Sequence, residues 1–229
     1  MSRKVFTAGE VLAAADVNSF LMDQTVMSFA SSASRGSAIG TATLGMYTHL
    51  EDGIPRTQFW NGSAWRSPFG STLVASSSFT SQPSVSFNNI FTSEFDVYEI
   101  YYDHVGSANQ LMNLRLRAGT DLSSNSYAYN FVRTEGSTVF GQVAAPSTSW
   151  AIGTMRTGTQ GMVKITLANP AKAVNAKTYL FQSFDLASVL VSDVGGGTNN
   201  QGGGIYDGCT IFPSTGTFTG SIRIYGLRK

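Results

Sequence analysis

The sequence after Ser71 is a succession of short segments in which apolar and polar residues alternate one by one. The clearest segment places Met112, Leu114 and Leu116 between polar neighbours. A period of two puts alternate side chains on opposite faces of a β-strand, so one face of each segment suits a buried core. Turn-forming residues separate the segments, and no helical pattern lies between them. The pattern predicts that residues 71–229 form one antiparallel, jelly-roll-like β-sandwich.

The same alternation predicts which side chains face the core. Trp150, Tyr127 and Tyr129 would fit a sugar-binding platform as well as a core, and the core is favoured because strand aromatics are more often buried than exposed. Glu99 and Asp103 fall on the opposite face of their strand and are expected to be solvated. The expected inward sets are Tyr98, Ile100 and Tyr102; Tyr127, Tyr129 and Phe131; and Val163, Ile165 and Leu167.

Residues 44–70 have the pattern of a β-hairpin module. Two short apolar strands flank Asn61-Gly62, a pair that suits the positive φ angles of a tight turn. The aromatic residues beside this turn carry more apolar area than so short a hairpin can bury alone. We therefore predict that copies of the chain cover these aromatics for one another and that residues 44–70 are a trimerisation module. The aromatic residues in question are Phe59, Trp60 and Trp65.

Residues 1–30 are predicted to form a short helical anchor. Thr7 and Glu10 have the spacing of a capping box, and a second helix is expected to run to about Ala30. The segment is apolar on two faces, so it needs cover on two sides. Sister helices or a partner protein would give that cover, with folding back onto the β-domain as the weaker alternative. The predicted interface residues are Val11, Leu12, Val17, Phe20, Leu21, Val26 and Phe29.

Residues 31–43 are rich in Ser, Ala and Gly and are expected to be a flexible or extended linker. Charged residues make up 13% of the chain and the formal net charge is +1. No basic run is present, so no electrostatic footprint for nucleic acid or an anionic membrane is expected. No stretch approaches ~18 consecutive apolar residues, which predicts no membrane insertion. The absence of a signal-peptide pattern predicts synthesis in a cytoplasm without export by the usual route.

The sequence offers no set of residues suited to catalysis, metal binding or cofactor binding. Cys209 is the only cysteine, and it is expected to be a core residue. His49 and His104 are the only histidines and have no metal-ligand spacing; His104 is expected to be a hydrogen-bonded strand residue. The G-x-S-x-G pattern of a nucleophilic serine is absent. We therefore predict no catalytic residues, no metal and no cofactor.

Two further patterns were weighed as possible sites. The run from Gly195 to Gly204 lacks the Lys-Ser/Thr of a phosphate loop, and no helix follows it, so a mobile surface loop is expected. Glu99 and Asp103 lie four positions apart on one strand face, ~13 Å along a strand, which exceeds the usual glycosidase carboxylate separation. Carboxylate pairs formed across strands stay open at this point.

Three segments at the beginning, middle and end of the chain are distinctive. They are Phe6-Thr7-Ala8-Gly9-Glu10-Val11-Leu12, Trp60-Asn61-Gly62-Ser63-Ala64-Trp65 and Phe218-Thr219-Gly220-Ser221-Ile222-Arg223-Ile224-Tyr225. Together they resemble bacteriophage minor tail and tail-fibre proteins, especially those of phages that infect actinobacteria. One departure is Ala13, where that family often has a threonine. The resemblance implies a virion structural protein, usually a homotrimer, attached by its N-terminus with its C-terminal domain facing the host.

The function expected from these features is that of a tail-associated fibre or receptor-binding protein in the virion. The N-terminal anchor would bind other phage structural proteins, and the sandwich would bind a host cell-surface glycan or decorate the particle. The alternative is a capsid decoration or head-fibre protein built from the same parts. A cell-wall-degrading virion enzyme is less favoured, because the catalytic set is missing. The ligand-binding residues stay open.

Overall fold

The computed structural model describes residues 9, 11, 13, 26–68, 70–174, 176–186 and 190–228. The chain divides into two compact units, one up to Gly70 and one from Ser71 onward. Most of the described residues are in β-strands, as the alternation predicts, and one short helix accompanies them. Among the described residues, no helix has the length and apolarity that crossing a membrane requires.

The first unit is a four-stranded sheet with a helix between its first two strands. The strands lie in sequence order; β1 and β2 are parallel, and the later neighbours are antiparallel. Ser31 caps the helix: its hydroxyl accepts the N–H of Ser34, and the Ser34 hydroxyl returns a bond. The elements are β1 (Met27–Phe29), α1 (Ser32–Ala38), β2 (Tyr47–Leu50), β3 (Arg56–Trp60) and β4 (Trp65–Arg66).

Two expectations about the N-terminal part need correction. The second helix does not reach Ala30, because Met27–Phe29 is a strand that pairs with β2 and thereby satisfies its backbone groups. Residues 31–43 are not a featureless linker, because the reciprocal serine cap allows Ser32–Ala38 to form a helix. The predicted interface residues Leu12, Val17, Phe20 and Leu21 lie outside the described residues.

The predicted hairpin is present, with a longer turn than expected. Trp60 pairs with Trp65 across β3 and β4, so four residues connect the strands rather than the two of Asn61-Gly62. The Asn61 side chain holds this turn by accepting the backbone N–H groups of Ser63 at 3.0 Å and Ala64 at 2.9 Å. Gly62 supplies the positive φ of +98° that the turn requires.

The second unit is a sandwich of two antiparallel sheets. The larger sheet has eight strands in the order β11-β10-β15-β14-β13-β7-β17-β5, and the smaller has the order β12-β8-β16-β6, with β9 paired to β8. The first strands are β5 (Ser71–Gln82), β6 (Val85–Phe87), β7 (Phe95–Gly106), β8 (Gln110–Ala118), β9 (Thr120–Asp121), β10 (Tyr127–Glu135) and β11 (Thr138–Ser147). The remaining strands are β12 (Trp150–Met155), β13 (Gln160–Ala168), β14 (Lys177–Leu186), β15 (Leu190–Asn199), β16 (Gly208–Pro213) and β17 (Phe218–Arg228).

The hydrophobic core lies between the two sheets. Trp150 is fully buried, and its indole N–H donates to the Thr198 carbonyl at 2.9 Å. Tyr179 stacks on Trp150 with ring centroids 4.5 Å apart. The inward sets expected from the alternation belong to this core, with Tyr129 only partly buried. The sequence pattern therefore identified the interior side of the central strands.

The glycine-rich run needs a third correction. Gly195, Gly196 and Gly197 are not in a surface loop; they lie in β15, between β10 and β14. A Cβ on Gly197 would lie 2.0 Å from the Ala128 carbonyl oxygen, so only glycine fits where these strands approach.

Candidate functional site

The outer face of the eight-stranded sheet carries a solvent-filled groove of about 440 Å³. It lies over β7, β13 and β17, where register places Arg223 beside Tyr101 and Tyr101 beside Lys164. These side chains face outward because their strand neighbours Tyr102 and Ile222 face the core. The lining residues include Ser71, Glu99, Tyr101, Asp103, Met162, Arg223 and Tyr225.

A hydrogen-bonded carboxylate organises one side of the groove. Glu99 accepts the Tyr101 hydroxyl at 2.7 Å and forms an ion pair with the Lys164 ammonium at 2.8 Å. The Lys164 hydrogen bond holds the pKa of Glu99 below its usual range, although partial burial opposes this shift. The same bond raises the pKa of Lys164. Both groups are therefore charged at neutral pH, and each holds the other in place.

Two tyrosine rings form the apolar part of the groove. Tyr101 and Tyr225 meet edge to face, with centroids 6.0 Å apart and planes at 82°. The Lys164 ammonium lies 5.3 Å from the centre of the Tyr101 ring and favours one ring orientation. Fixed aromatic rings next to charged and hydroxyl groups can bind a ligand that is apolar on one face and polar at its edge.

Arg223 and Asp103 supply the remaining polar groups. Asp103 accepts the Ser221 hydroxyl at 2.5 Å. The Arg223 guanidinium is exposed, and within the part of the chain that the structure describes it has no ion-pair partner. A guanidinium offers five donors in a planar fork, so Arg223 is available to hydroxyl, carboxylate or phosphate oxygens.

A second polar cluster lies between the sheets and is internally paired. The buried Asp193 carboxylate accepts hydrogen bonds from Arg133 at 2.8 Å and from the Thr154 hydroxyl at 2.6 Å. Arg156 pairs with Glu135 at 2.5 Å beside a recess of about 260 Å³. Because each of these charges already has its counter-charge, we assign the cluster to structure rather than to ligand binding.

His104 and Cys209 are buried strand residues, as the sequence predicts, but the hydrogen bond expected for His104 is not formed within the described residues. The Nε2 of His104 lies 3.5 Å from Asp185 Oδ2, too long for a strong hydrogen bond. His49 contacts Thr57 in the first unit. Cys209 is buried, and burial raises the pKa of its thiol to about 12, so it is unreactive at neutral pH. The described residues contain no group of three or more potential metal ligands.

The structure divides the predicted hairpin interface between the two faces of its sheet. Trp60 and Trp65 pack together at 5.5 Å, and the buried Arg35 of α1 lies 4.3 Å over the Trp65 ring. Arg35 also donates to Gln58 at 2.7 Å. Part of the cover expected from another copy therefore comes from α1 of the same chain.

Phe59 lies on the opposite face of this sheet, where its ring is 5.9 Å from that of the exposed Tyr47. The other described interface residues differ in burial. Val11 and Val26 are exposed, and Phe29 is half-buried within β1. Of the hairpin aromatics described here, Tyr47 is the exposed one.

The groove cannot be recognised in the sequence, because its residues are contributed by three strands. Tyr101, Arg223 and Tyr225 each read as an ordinary outward position in its own strand. Their proximity depends on β17, the last strand, pairing with β7 across more than a hundred residues. The one local signal was the outward position assigned to Glu99 and Asp103.

Comparison with known proteins does not place the chain in a family. No family model matches it, and no curated protein matches it. The alginate lyase Aly36B is 13% identical and is covered over 93% of its length by 90% of this chain, with a TM-score of 0.24. The SPRY domain of human HERC1 is 10% identical, with 70% of this chain covering 96% of it and a TM-score of 0.27. A protein of unknown function from Shewanella oneidensis MR-1 is 11% identical, with 97% of each chain covered and a TM-score of 0.23. Because such low scores support no functional argument, the function is inferred from this chain's own residues.

Proposed function

We propose that the protein is a phage virion component, a tail-associated fibre or receptor-binding protein, whose sandwich binds a host cell-surface glycan in the outer groove. The observation that supports this most directly is the groove itself. Tyr101 and Tyr225 give a fixed apolar surface, and Arg223, Glu99 and Asp103 surround it with donors and acceptors. Sugars have apolar ring faces and polar edges, which match this arrangement.

The groove suits binding better than cleavage. A glycoside-cleaving site needs a carboxylic acid that stays protonated near neutral pH, and so a raised pKa. The pKa of Glu99 is shifted downward, because Lys164 and Tyr101 both donate to its charged form. Glu99 is therefore a poor general acid and a good fixed acceptor for hydroxyl groups.

In this proposal the N-terminal segment attaches the protein to other phage structural proteins, and three chains associate through residues 44–70. The face that carries Tyr47 is suited to the contact between copies, since the Tyr47 ring is exposed and lies next to that of Phe59. The sandwich then presents its groove to the host surface in three copies. Three linked sites bind a repetitive glycan more tightly than one site does.

Substitution in the groove tests the proposed ligand. We expect Tyr101→Ala and Tyr225→Ala to weaken binding to an array of bacterial surface glycans about tenfold each, because aromatic anchors carry much of the energy at such surfaces. Tyr101→Phe keeps the ring and removes the hydroxyl that donates to Glu99, and it should weaken binding less.

Ile205→Ala is the matched control, because Ile205 is a large exposed apolar residue of the sandwich that does not line the groove. This variant should bind glycans as the native chain does. If Tyr101→Ala and Tyr225→Ala each bound glycans with native affinity, the groove would be excluded as a glycan site. The same conclusion would follow if the native chain bound no glycan.

A further inference from the structure

Four adjacent strands at one side of the large sheet have no charged residue on their outer face. The strands are β14, β15, β10 and β11, in that spatial order. Their outward positions carry aliphatic, aromatic, glycine, Ser/Thr or amide side chains, and the large apolar ones are exposed, with Leu180 at 68% and Val143 at 77%. The apolar residues at its centre are Val132, Val139, Val143, Leu180, Phe184 and Val194, and we call this surface the uncharged face.

The charged residues of these strands all point the other way. β11 has no charged residue along its described length, and the charges of β10, β14 and β15 lie on the inner side, where Arg133 pairs with Asp193 of the neighbouring strand and Glu135 pairs with Arg156. These strands therefore carry their charge on the inner side, whereas a soluble sheet usually carries it outside. The inward charged residues are Arg133, Glu135, Lys177, Asp185 and Asp193.

The exposed apolar side chains lie among uncharged polar ones on this face. Register places Val194 of β15 directly beside Val132 of β10, while Val143 lies beside Asn130 and Phe184 beside Ser192. Four strands ~4.8 Å apart and ~30 Å long give an uncharged footprint of roughly 600 Å², near the ~800 Å² per partner of a stable interface. Large apolar side chains exposed together on a soluble protein mark an interaction site.

We propose that the uncharged face packs against the same face of a second copy of this chain. Around a symmetry axis, residues near the axis meet their own copies, so any charge there would face a like charge. A face without charge avoids that repulsion. It also has no charged groups that could pair with those of an acidic or basic partner. The contact pairs two copies about a two-fold axis, so it is separate from the three-fold association proposed for residues 44–70 and would join chains of two trimers. It does not depend on the ligand of the groove.

Cross-linking through a single introduced cysteine tests this contact in the full chain. Cys209 is fully buried, so Val194→Cys would carry the one accessible thiol among the described residues. Val105→Cys is the matched control, because Val105 is an exposed valine on the outer side of the same sheet, on β7. With a short bismaleimide at micromolar protein, we expect about tenfold more covalently linked pairs for Val194→Cys than for Val105→Cys, in line with a contact that concentrates one thiol near its copy.

Adding Val132→Glu to Val194→Cys should reduce the linked pairs about tenfold or more, because it places a carboxylate against its own copy. Circular dichroism would verify that this surface variant is folded. Equal linking of the two cysteine variants would overturn the proposal, and so would free reaction of the Val194→Cys thiol with a bulky maleimide in the assembled protein. If the protein is a trimer by mass and still gives one of these two results, its copies associate only through residues 44–70.

Discussion

The Asp185 side chain shows how a charge is kept inside this sandwich. Its carboxylate accepts the Thr159 hydroxyl at 2.5 Å and the Arg156 backbone N–H at 3.0 Å, and His104 lies beside it. Burial alone would raise its pKa, but the nearby His104 and the hydrogen bonds from the Thr159 hydroxyl and the Arg156 backbone N–H outweigh burial and lower the pKa of Asp185. Asp185 therefore stays charged near neutral pH, and its partners stabilise that form.

The lowered pKa of Asp185 predicts a loss of stability in acid. A group whose folded pKa lies below its unfolded value stabilises fully above the unfolded value, ~3.9 for Asp, and loses this stabilisation as the pH falls through the folded pKa. We expect Asp185→Asn to lower the free energy of unfolding by ~1–3 kcal/mol at pH 7. Urea unfolding of the native chain should show a steeper fall in stability below about pH 4 than the variant does.

Thr159→Val provides a matched variant, since it removes one hydroxyl donor to Asp185 and keeps the side-chain shape. Its pH dependence should lie between those of the native chain and Asp185→Asn. If the free energy of unfolding changed with pH in the same way for all three proteins, Asp185 would not be held in its charged form.

The alternation of apolar and polar residues in the sequence could not show that Asp185 is buried. In β14 the inward positions hold Lys177, Tyr179, Phe181, Ser183 and Asp185, while the outward positions hold Leu180 and Phe184 among polar residues. Each side mixes apolar with polar residues, so the sequence does not show which side is buried. In β7 and β13 three successive inward positions are apolar, and there the predicted core residues are buried.

At the scale of elements, β15 is a strand because it pairs with distant strands, although its own sequence does not favour a strand. Glycine is poor in strands, so Gly195-Gly196-Gly197 suggested a loop. The neighbours β10 and β14 pair with this segment on both sides and supply the hydrogen bonds that a strand needs. The information that makes it a strand therefore lies in residues distant in sequence. Deleting residues 195–204 would remove half of an internal strand, so it cannot serve as a mild loop deletion.

Gly197→Ala tests whether the close approach of β15 and β10 requires glycine. The added Cβ would meet the Ala128 carbonyl oxygen at 2.0 Å, so the strands must separate, and we expect a loss of ~1–3 kcal/mol in the free energy of unfolding. Gly202→Ala is the control, because a Cβ there meets nothing within 4 Å. Thermal unfolding of both variants would measure the difference. A Gly197→Ala protein as stable as Gly202→Ala would contradict the packing described here.

At the scale of the whole molecule, the sandwich contains its own core and its own strand pairing. The core residues that pack together lie in strands from β5 to β17, all after Gly70. The first unit has a separate small sheet whose centre is polar, with Arg35 bonded to Thr48 and Gln58. Removing residues 1–30 would delete β1, so a cut intended to spare this sheet belongs before Val26.

A fragment of residues 71–229 is therefore expected to fold alone. It should unfold in a single cooperative transition, and its near-ultraviolet circular dichroism should show the ordered environment of Trp150. The full chain would show the same transition, with any signal from residues 26–70 superimposed. A fragment without cooperative unfolding would mean that the sandwich needs the first unit in order to fold.

The first and last strands of the sandwich lie side by side, and Ser71 at the start of β5 is opposite Leu227 near the end of β17. The polypeptide thus enters and leaves this domain at one corner. A domain with this geometry can be exchanged as a unit. Recombination at a single junction replaces it, and the path of the preceding segment or of a sequence fused after it does not have to change. New residues on the outer face of the large sheet can then be acquired by replacing the whole domain, while the segment before Gly70 keeps the same sequence.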